Sequence, residues 1–193
     1  MHGSFDQHHL GPIAFETVRR VHSRKPEVIF RFIGRQTGTL ADFTARLRAT
    51  CPGLRLELPG FIPYAEISSH LNRATVGWIP YEASEGVHCA FVAKAVEYLG
   101  CGIPVASTPL ENLRRYFAGE AAIRFSGFEP ESLAAAILLW LDAPHHERRK
   151  LGQAAAVRVR RELDWPVIAE KAVNFFERQT RHATIDTKAA HGG

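Results

Sequence analysis

Glu85-Gly86-Val87-His88-Cys89-Ala90-Phe91-Val92-Ala93-Lys94-Ala95-Val96-Glu97-Tyr98-Leu99-Gly100-Cys101-Gly102-Ile103-Pro104-Val105-Ala106-Ser107 is the stretch from which the fold of this chain is read. It divides into a loop, a helix with Val92, Val96 and Leu99 on one face, a glycine stop and a short apolar strand. A loop that feeds a helix N-terminus presents free backbone N–H groups and a partial positive charge, a setting that suits a diphosphate. In open α/β sheets ligands sit at that carboxyl edge of the strands. Glu97, about two turns into the helix, can take bidentate hydrogen bonds from a ribose diol. Lys94, one turn earlier, reads either as a phosphate contact or as a solvated stem that pairs with Glu97.

Working outward, four more short runs alternate with helical patterns. Val28–Ile33 ends on Gly34, Leu54–Leu58 on Pro59-Gly60, Thr75–Ile79 on Pro80, and Ala122–Phe125 on Ser126-Gly127. Ile13, Val18 and Val21, then Leu40, Phe43 and Leu47, then Ile67 and Leu71 give each intervening helix an apolar face. The alternation predicts an α/β fold, a Rossmann-like parallel sheet flanked by helices, with a helical C-terminus after residue 125. One domain is expected over residues 1–181 and a small, polar, flexible tail over 182–193.

Composition narrows the function classes. With 46% hydrophobic residues in 193, the chain can bury a core. No apolar run approaches the roughly 20 residues of a membrane span, and the opening MHGSFDQHH lacks the layout of a secretory signal, so a cytoplasmic location is expected. A net charge of +4 is a modest attraction for phosphate-rich ligands and gives no ground for nucleic-acid binding. Arg148, Arg149, Lys150, Arg158, Arg160 and Arg161 read either as a solvated helix face or as a peripheral contact with anionic lipid at the inner membrane face. Cys51, Cys89 and Cys101 form no CxxC pair and are expected to be core thiols, while His8-His9 and His145-His146 are adjacent pairs without metal-ligand spacing. No metal site is expected.

The pattern Lys94-x-x-Glu97-Tyr98-Leu99-x-x-Gly102-x-Pro104-Val105 resembles the K-x-x-E-Y-L-x-x-G-x-P-V segment of GT-B transferases of the glycosyl transferases group 1 family. Phe32-Ile33-Gly34, Leu58-Pro59-Gly60-Phe61-Ile62-Pro63, the strand ending at Pro80 and Leu163-Asp164-Trp165 resemble further landmarks of the C-terminal, donor-binding half of that fold, in order. The resemblance runs from about Gly3 to Arg178. It implies a retaining, metal-free glycosyltransferase whose donor substrate is a nucleotide-diphosphate sugar. Glu97 would bind the ribose, the backbone at Val87, His88, Cys89 and Ala90 would meet sugar and diphosphate, Lys94 would face phosphate, and Gly60, Phe61 and Ile62 would form the turn near the base.

The family motif has another glutamate eight residues before the ribose-binding one, and that position is Cys89 here. Gly3-Ser4-Phe5 resembles the end of a first strand whose usual basic residues are missing from Asp6 to Gly11. A complete enzyme carries an acceptor-binding N-terminal domain, so the resemblance implies either a partner subunit or a truncated chain, and no catalytic side chain is assigned. The alternatives are a noncatalytic nucleotide-sugar-binding or interaction module and, less well matched, a two-domain nucleotide-sugar epimerase.

Overall fold

The computed structural model describes residues 1–189. The chain separates into two compact units, Met1–Ala156 and Val157 onward, where the sequence predicts one domain to residue 181. The first contains α1 (Pro12–Arg24), β1 (Ile29–Ile33), α2 (Gly38–Thr50), β2 (Arg55–Gly60), α3 (Tyr64–Leu71), β3 (Gly77–Ile79), α4 (Glu85–His88), α5 (Ala93–Gly100), β4 (Val105–Ser107), α6 (Glu111–Tyr116), β5 (Ile123–Phe125), α7 (Pro130–Asp142) and the start of α8 (His145–Leu163). The second contains the end of α8 and α9 (Trp165–Ala189). Much of the expected tail is therefore helical, and residues 190–193 lie outside the described residues.

All five predicted strands form, and all their pairings are parallel, as the βα alternation requires. They make two half-sheets, β1 with β2 and β3-β4-β5. Residues at the front of the chain begin another parallel strand on β1. The Ile33 N–H donates to the Met1 carbonyl and the Gly3 N–H to the Ile33 carbonyl, both at 2.9 Å.

Because side chains alternate along a strand, Phe30 and Phe32 share one face of β1. On that face Phe30 and Phe32 each lie 6.0 Å from Trp78, and Phe32 lies 5.8 Å from Phe43 of α2, all edge-on. Helices α1, α2 and α7 contribute to the same core, with Val18, Leu40, Leu133 and Trp140 fully buried. The Trp140 indole N–H, too deep for water, donates to the Val105 carbonyl at 2.9 Å. Helix α5 packs on the opposite face of β3 and β4, where the Tyr98 ring fills the place a Gly77 side chain would need.

Helix ends follow the local chemistry. Pro12 opens α1, and a Glu82 carboxylate oxygen accepts the Ile13 N–H at 2.7 Å. Thr37 caps α2 by accepting from the Leu40 N–H at 3.1 Å, while its hydroxyl donates to the Phe5 carbonyl at 2.8 Å. After α5, Gly102 turns with φ +74° and brings its carbonyl so close to Gly152 of α8 that any Cβ at Gly152 would overlap it. Gly152→Ala should therefore lower stability by about 1–3 kcal/mol, the usual range for overpacking. In an open helix the same change would stabilise by about 1 kcal/mol, so chemical denaturation separates the two by sign.

Candidate functional site

A cavity of about 800 Å³ opens at the carboxyl edge of the strands, large enough for a nucleotide-sized ligand. Its walls come from the front segment (His2 to Asp6), the β1–α2 loop (Gly34, Arg35, Thr37), the β2–α3 turn and α3 (Phe61, Ile62, Tyr64, Ile67), Tyr81, and the start of α5 (Ala90 to Lys94, with Glu97). The loop expected between Pro80 and the helix contains the one-turn α4, and α5 begins only at Ala93, which puts Glu97 in the second turn of α5. No side chain caps α5; the Ala95 N–H turns back to the Val92 carbonyl at 3.1 Å, and Ala93 and Lys94, which complete the first turn, line the cavity.

Of the site residues predicted from sequence, Glu97, Lys94, Ala90, Phe61 and Ile62 line this cavity. Gly60 shapes the turn beside it: its φ of +84° is one that side chains disfavour, and its carbonyl accepts the Gly34 N–H at 2.9 Å. Val87 and His88 belong to α4, but their side chains fall outside the described residues. Cys89 is an exposed thiol, not the core thiol expected; its carbonyl accepts from the Asn112 side-chain amide. Only Cys51 is buried, and Cys101 is half-buried.

Glu97 does not pair with Lys94. Its Oε2 lies 2.5 Å from His2 Nε2, and His2 is itself nearly buried, edge-on to Tyr98 at 4.7 Å. An N–H at Nε2 is what a carboxylate requires in that position. That hydrogen bond holds the Glu97 carboxyl below its ordinary value against the opposing effect of burial, with help from the His2 and Lys94 charges.

Lys94, only 9% exposed, donates to the Tyr81 hydroxyl at 3.0 Å. The Tyr81 oxygen also lies 2.8 Å from His9 Nε2, and His9 Nδ1 lies 2.7 Å from an Asp6 carboxylate oxygen. Burial lowers the pKa of Lys94, although Glu97 and Asp6 act against it. His9 is likewise lowered, by burial and by the Lys94 charge, and the Tyr81 phenol is pushed up to about 12 by burial and Asp6. Asp6 sits below its ordinary value: burial alone would raise it, but the His9 ring and the His8 and His9 backbone N–H groups outweigh that.

His2, Asp6 and Tyr81 are not candidate site residues on the sequence, and His9 is read there only as half of an adjacent pair without metal-ligand spacing. The only sequence signal for His2, Asp6 and His9 is the density of polar residues in the first nine positions, which reads equally as a frayed start, and Tyr81 has none beyond its place after the strand ending at Pro80. Arg35 stacks over Phe61, its guanidinium carbon 5.5 Å from the ring centroid, and Phe61 and Tyr64 are exposed by 64% and 73% at that end of the cavity. Among the described residues no group of three His, Cys, Asp or Glu side chains is placed to hold a metal ion, and no helix is long and apolar enough to cross a membrane.

A family model described as glycosyl transferase-like matches residues 15–174. No curated protein matches in sequence. Among solved structures, HepE from Anabaena in complex with UDP superposes over 92% of this chain and 48% of its own, with 16% identity and a TM-score of 0.75. Sucrose-phosphate synthase from Thermosynechococcus elongatus matches over 94% of this chain and 45% of its own, with 20% identity and a TM-score of 0.71. TarM from S. aureus, in a complex that includes UDP, matches over 91% and 34%, with 13% identity and a TM-score of 0.73. This chain thus spans less than half the length of each. Likenesses at these identities establish the shared fold, the Rossmann-like half of a GT-B architecture.

The His2–Glu97 contact has a measurable pH signature. A carboxyl whose folded pKa is depressed contributes stability in full above its ordinary value of 4.5, and loses it as pH falls through the lower folded value. His2→Ala should move the Glu97 carboxyl pKa upward by NMR. The stability gap between wild type and His2→Ala should also be wider at pH 7 than at pH 3, and a gap independent of pH would count against the contact.

Proposed function

The chain belongs to the glycosyl transferase-like family, and from that premise we propose that it binds a nucleotide-diphosphate sugar as the donor half of a retaining GT-B glycosyltransferase. The observation that carries this reading is the α5 N-terminus: it opens on the cavity with Lys94 and Glu97 one turn apart, each held by a different residue of the front segment or its neighbours.

The diphosphate would sit against the Ala93 and Lys94 N–H groups at the start of α5 and the Lys94 ammonium, where the helix dipole and a fixed cation both favour negative charge. Glu97 Oε1, left open while His2 occupies Oε2, would accept from the ribose hydroxyls. Phe61, Ile62 and Arg35 would meet the base, and the backbone at Ala90, which lines the cavity, would face the sugar. Leaving-group charge would then develop against prearranged dipoles and a cation, without a metal ion. Sugar transfer further requires an acceptor held in line with the donor carbon, a task for an acceptor-binding domain or subunit.

A second reading, a noncatalytic nucleotide-sugar-binding module, is favoured by one observation. The position where the family motif carries a sugar-contacting glutamate is Cys89, which is exposed and not part of the cavity wall.

Calorimetric titration with UDP, GDP and ADP tests the donor site. At least one should bind saturably, and Glu97→Ala should weaken it by about 1.5–3 kcal/mol, the scale of hydrogen bonds to a charged group. A folded chain that binds none of the three would end the donor-site reading. Binding without turnover of any matching nucleotide-sugar, even with acceptor domains supplied, would favour the second reading.

A further inference from the structure

We propose that Asp6, His9 and Tyr81 are positioning residues that hold the Lys94 ammonium at the diphosphate end of the cavity. The proposal rests on the donor-site reading and adds how its cation is aimed. The four residues come from three places in the chain: the segment before α1, the loop after β3 and the first turn of α5. They form one series of contacts, at 3.0 Å from Lys94 to Tyr81, 2.8 Å from Tyr81 to His9 and 2.7 Å from His9 to Asp6.

The direction of every proton in the series follows from its two ends. An ammonium can only donate, so the Tyr81 oxygen accepts from Lys94 and turns its own O–H to His9 Nε2. His9 must then carry its proton on Nδ1, and the Asp6 carboxylate, which can only accept, takes that N–H. Asp6 is fixed in turn by the backbone N–H of His8 at 2.9 Å and of His9 at 3.3 Å. The neutral His9 ring that this order needs is also the form that burial and the Lys94 charge favour. Other charged groups nearby do not interrupt the series: Glu97 is taken by His2, and Glu82 by the N-terminus of α1.

Lysine has a flexible four-carbon stem, and without such a chain its ammonium would sample many positions. Here the stem is packed beside Gly3, where a Cβ would come within 3.0 Å of the Lys94 Cε. Among the described residues the direct hydrogen-bond partner of this nearly buried cation is a neutral hydroxyl, with no carboxylate in salt-bridge contact. A desolvated charge left so is stabilised by an anion from outside, which is the role assigned to the diphosphate.

The test compares UDP with uridine, which shares base and ribose but lacks phosphate, by calorimetry on wild type, Tyr81→Phe, His9→Gln and His9→Leu. Tyr81→Phe keeps the ring and removes the hydroxyl. It should weaken UDP about tenfold and leave uridine unchanged, while its loss of O–H donation to Nε2 moves the His9 ring titration upward by NMR. His9→Leu should match Tyr81→Phe for UDP, and His9→Gln, whose amide oxygen can accept from Tyr81, should stay within about threefold of wild type. Thermal unfolding of each variant reports whether it folds, and the conservative Tyr81→Phe and His9→Gln still decide if His9→Leu does not.

UDP binding equal to wild type in both Tyr81→Phe and His9→Leu overturns the positioning role and leaves the donor site standing. Equal weakening of UDP and uridine overturns it as well, because the effect would then be general to the site. If wild type does not bind UDP, GDP with guanosine and ADP with adenosine replace it. Failure of all three pairs removes the donor-site reading and this proposal with it.

Discussion

The cavity depends on one short stretch of backbone pairing. The hydrogen bonds between Met1 or Gly3 and Ile33 dock the front segment on β1, and two apolar anchors keep it there. Phe5, 2% exposed, lies edge-on to Phe32 at 5.9 Å, and Leu10 is 6% exposed. Each such burial is worth about 1.5–3 kcal/mol, which offsets much of the roughly 1–2 kcal/mol per residue that ordering the polar residues between them costs. His2 and Asp6 therefore reach the cavity, and His9 reaches Tyr81 on its wall, as consequences of strand pairing and core packing. Gly3 and Gly34 allow the close approach: a side chain at Gly34 would overlap the Gly3 carbonyl.

The same dependence explains what could be read from sequence. The five strands were legible because each is a short β-rich run ended by a glycine, proline or serine, and their boundaries shifted by no more than two residues or so. The place of Glu97 and Lys94 at the cavity was legible because a helix N-terminus after a parallel strand is a local pattern with local chemistry. His2, His9 and Tyr81 were not, because their roles rest on contacts between residues 95, 72 and 13 positions apart. Periodicity reports which face a residue takes on its own element, and nothing about which distant element meets it. Helix α4 was missed for a related reason: Glu85–His88 is a single turn, too short to establish a period. The unit boundary at Val157 falls inside α8, where the helical pattern continues without a break to mark it.

The arrangement of charge in the cavity follows from keeping Glu97 and Lys94 apart. One turn apart on α5, they could have paired with each other, and such a pair on an exposed helix would gain only a few tenths of a kcal/mol. In a partly buried site direct pairing would occupy both groups and leave a neutral surface. Instead Glu97 is bonded through one oxygen to His2, and Lys94 to the hydroxyl of Tyr81. Each partner satisfies part of the charged group's hydrogen-bonding capacity while leaving an acceptor oxygen on the carboxylate and two N–H donors on the ammonium. Neither partner's own contact reverses the charge it holds, so a negative and a positive group stand side by side in a low-dielectric cavity, each with open valence. A ligand that is polyhydroxylated at one point and anionic a few ångströms away satisfies both at once. A ligand with only one of those features leaves the other group desolvated and incompletely bonded. On the donor-site reading, the separation of the two charges would itself be a source of discrimination, set by the front segment and the loop after β3 and independent of the base or sugar at either end.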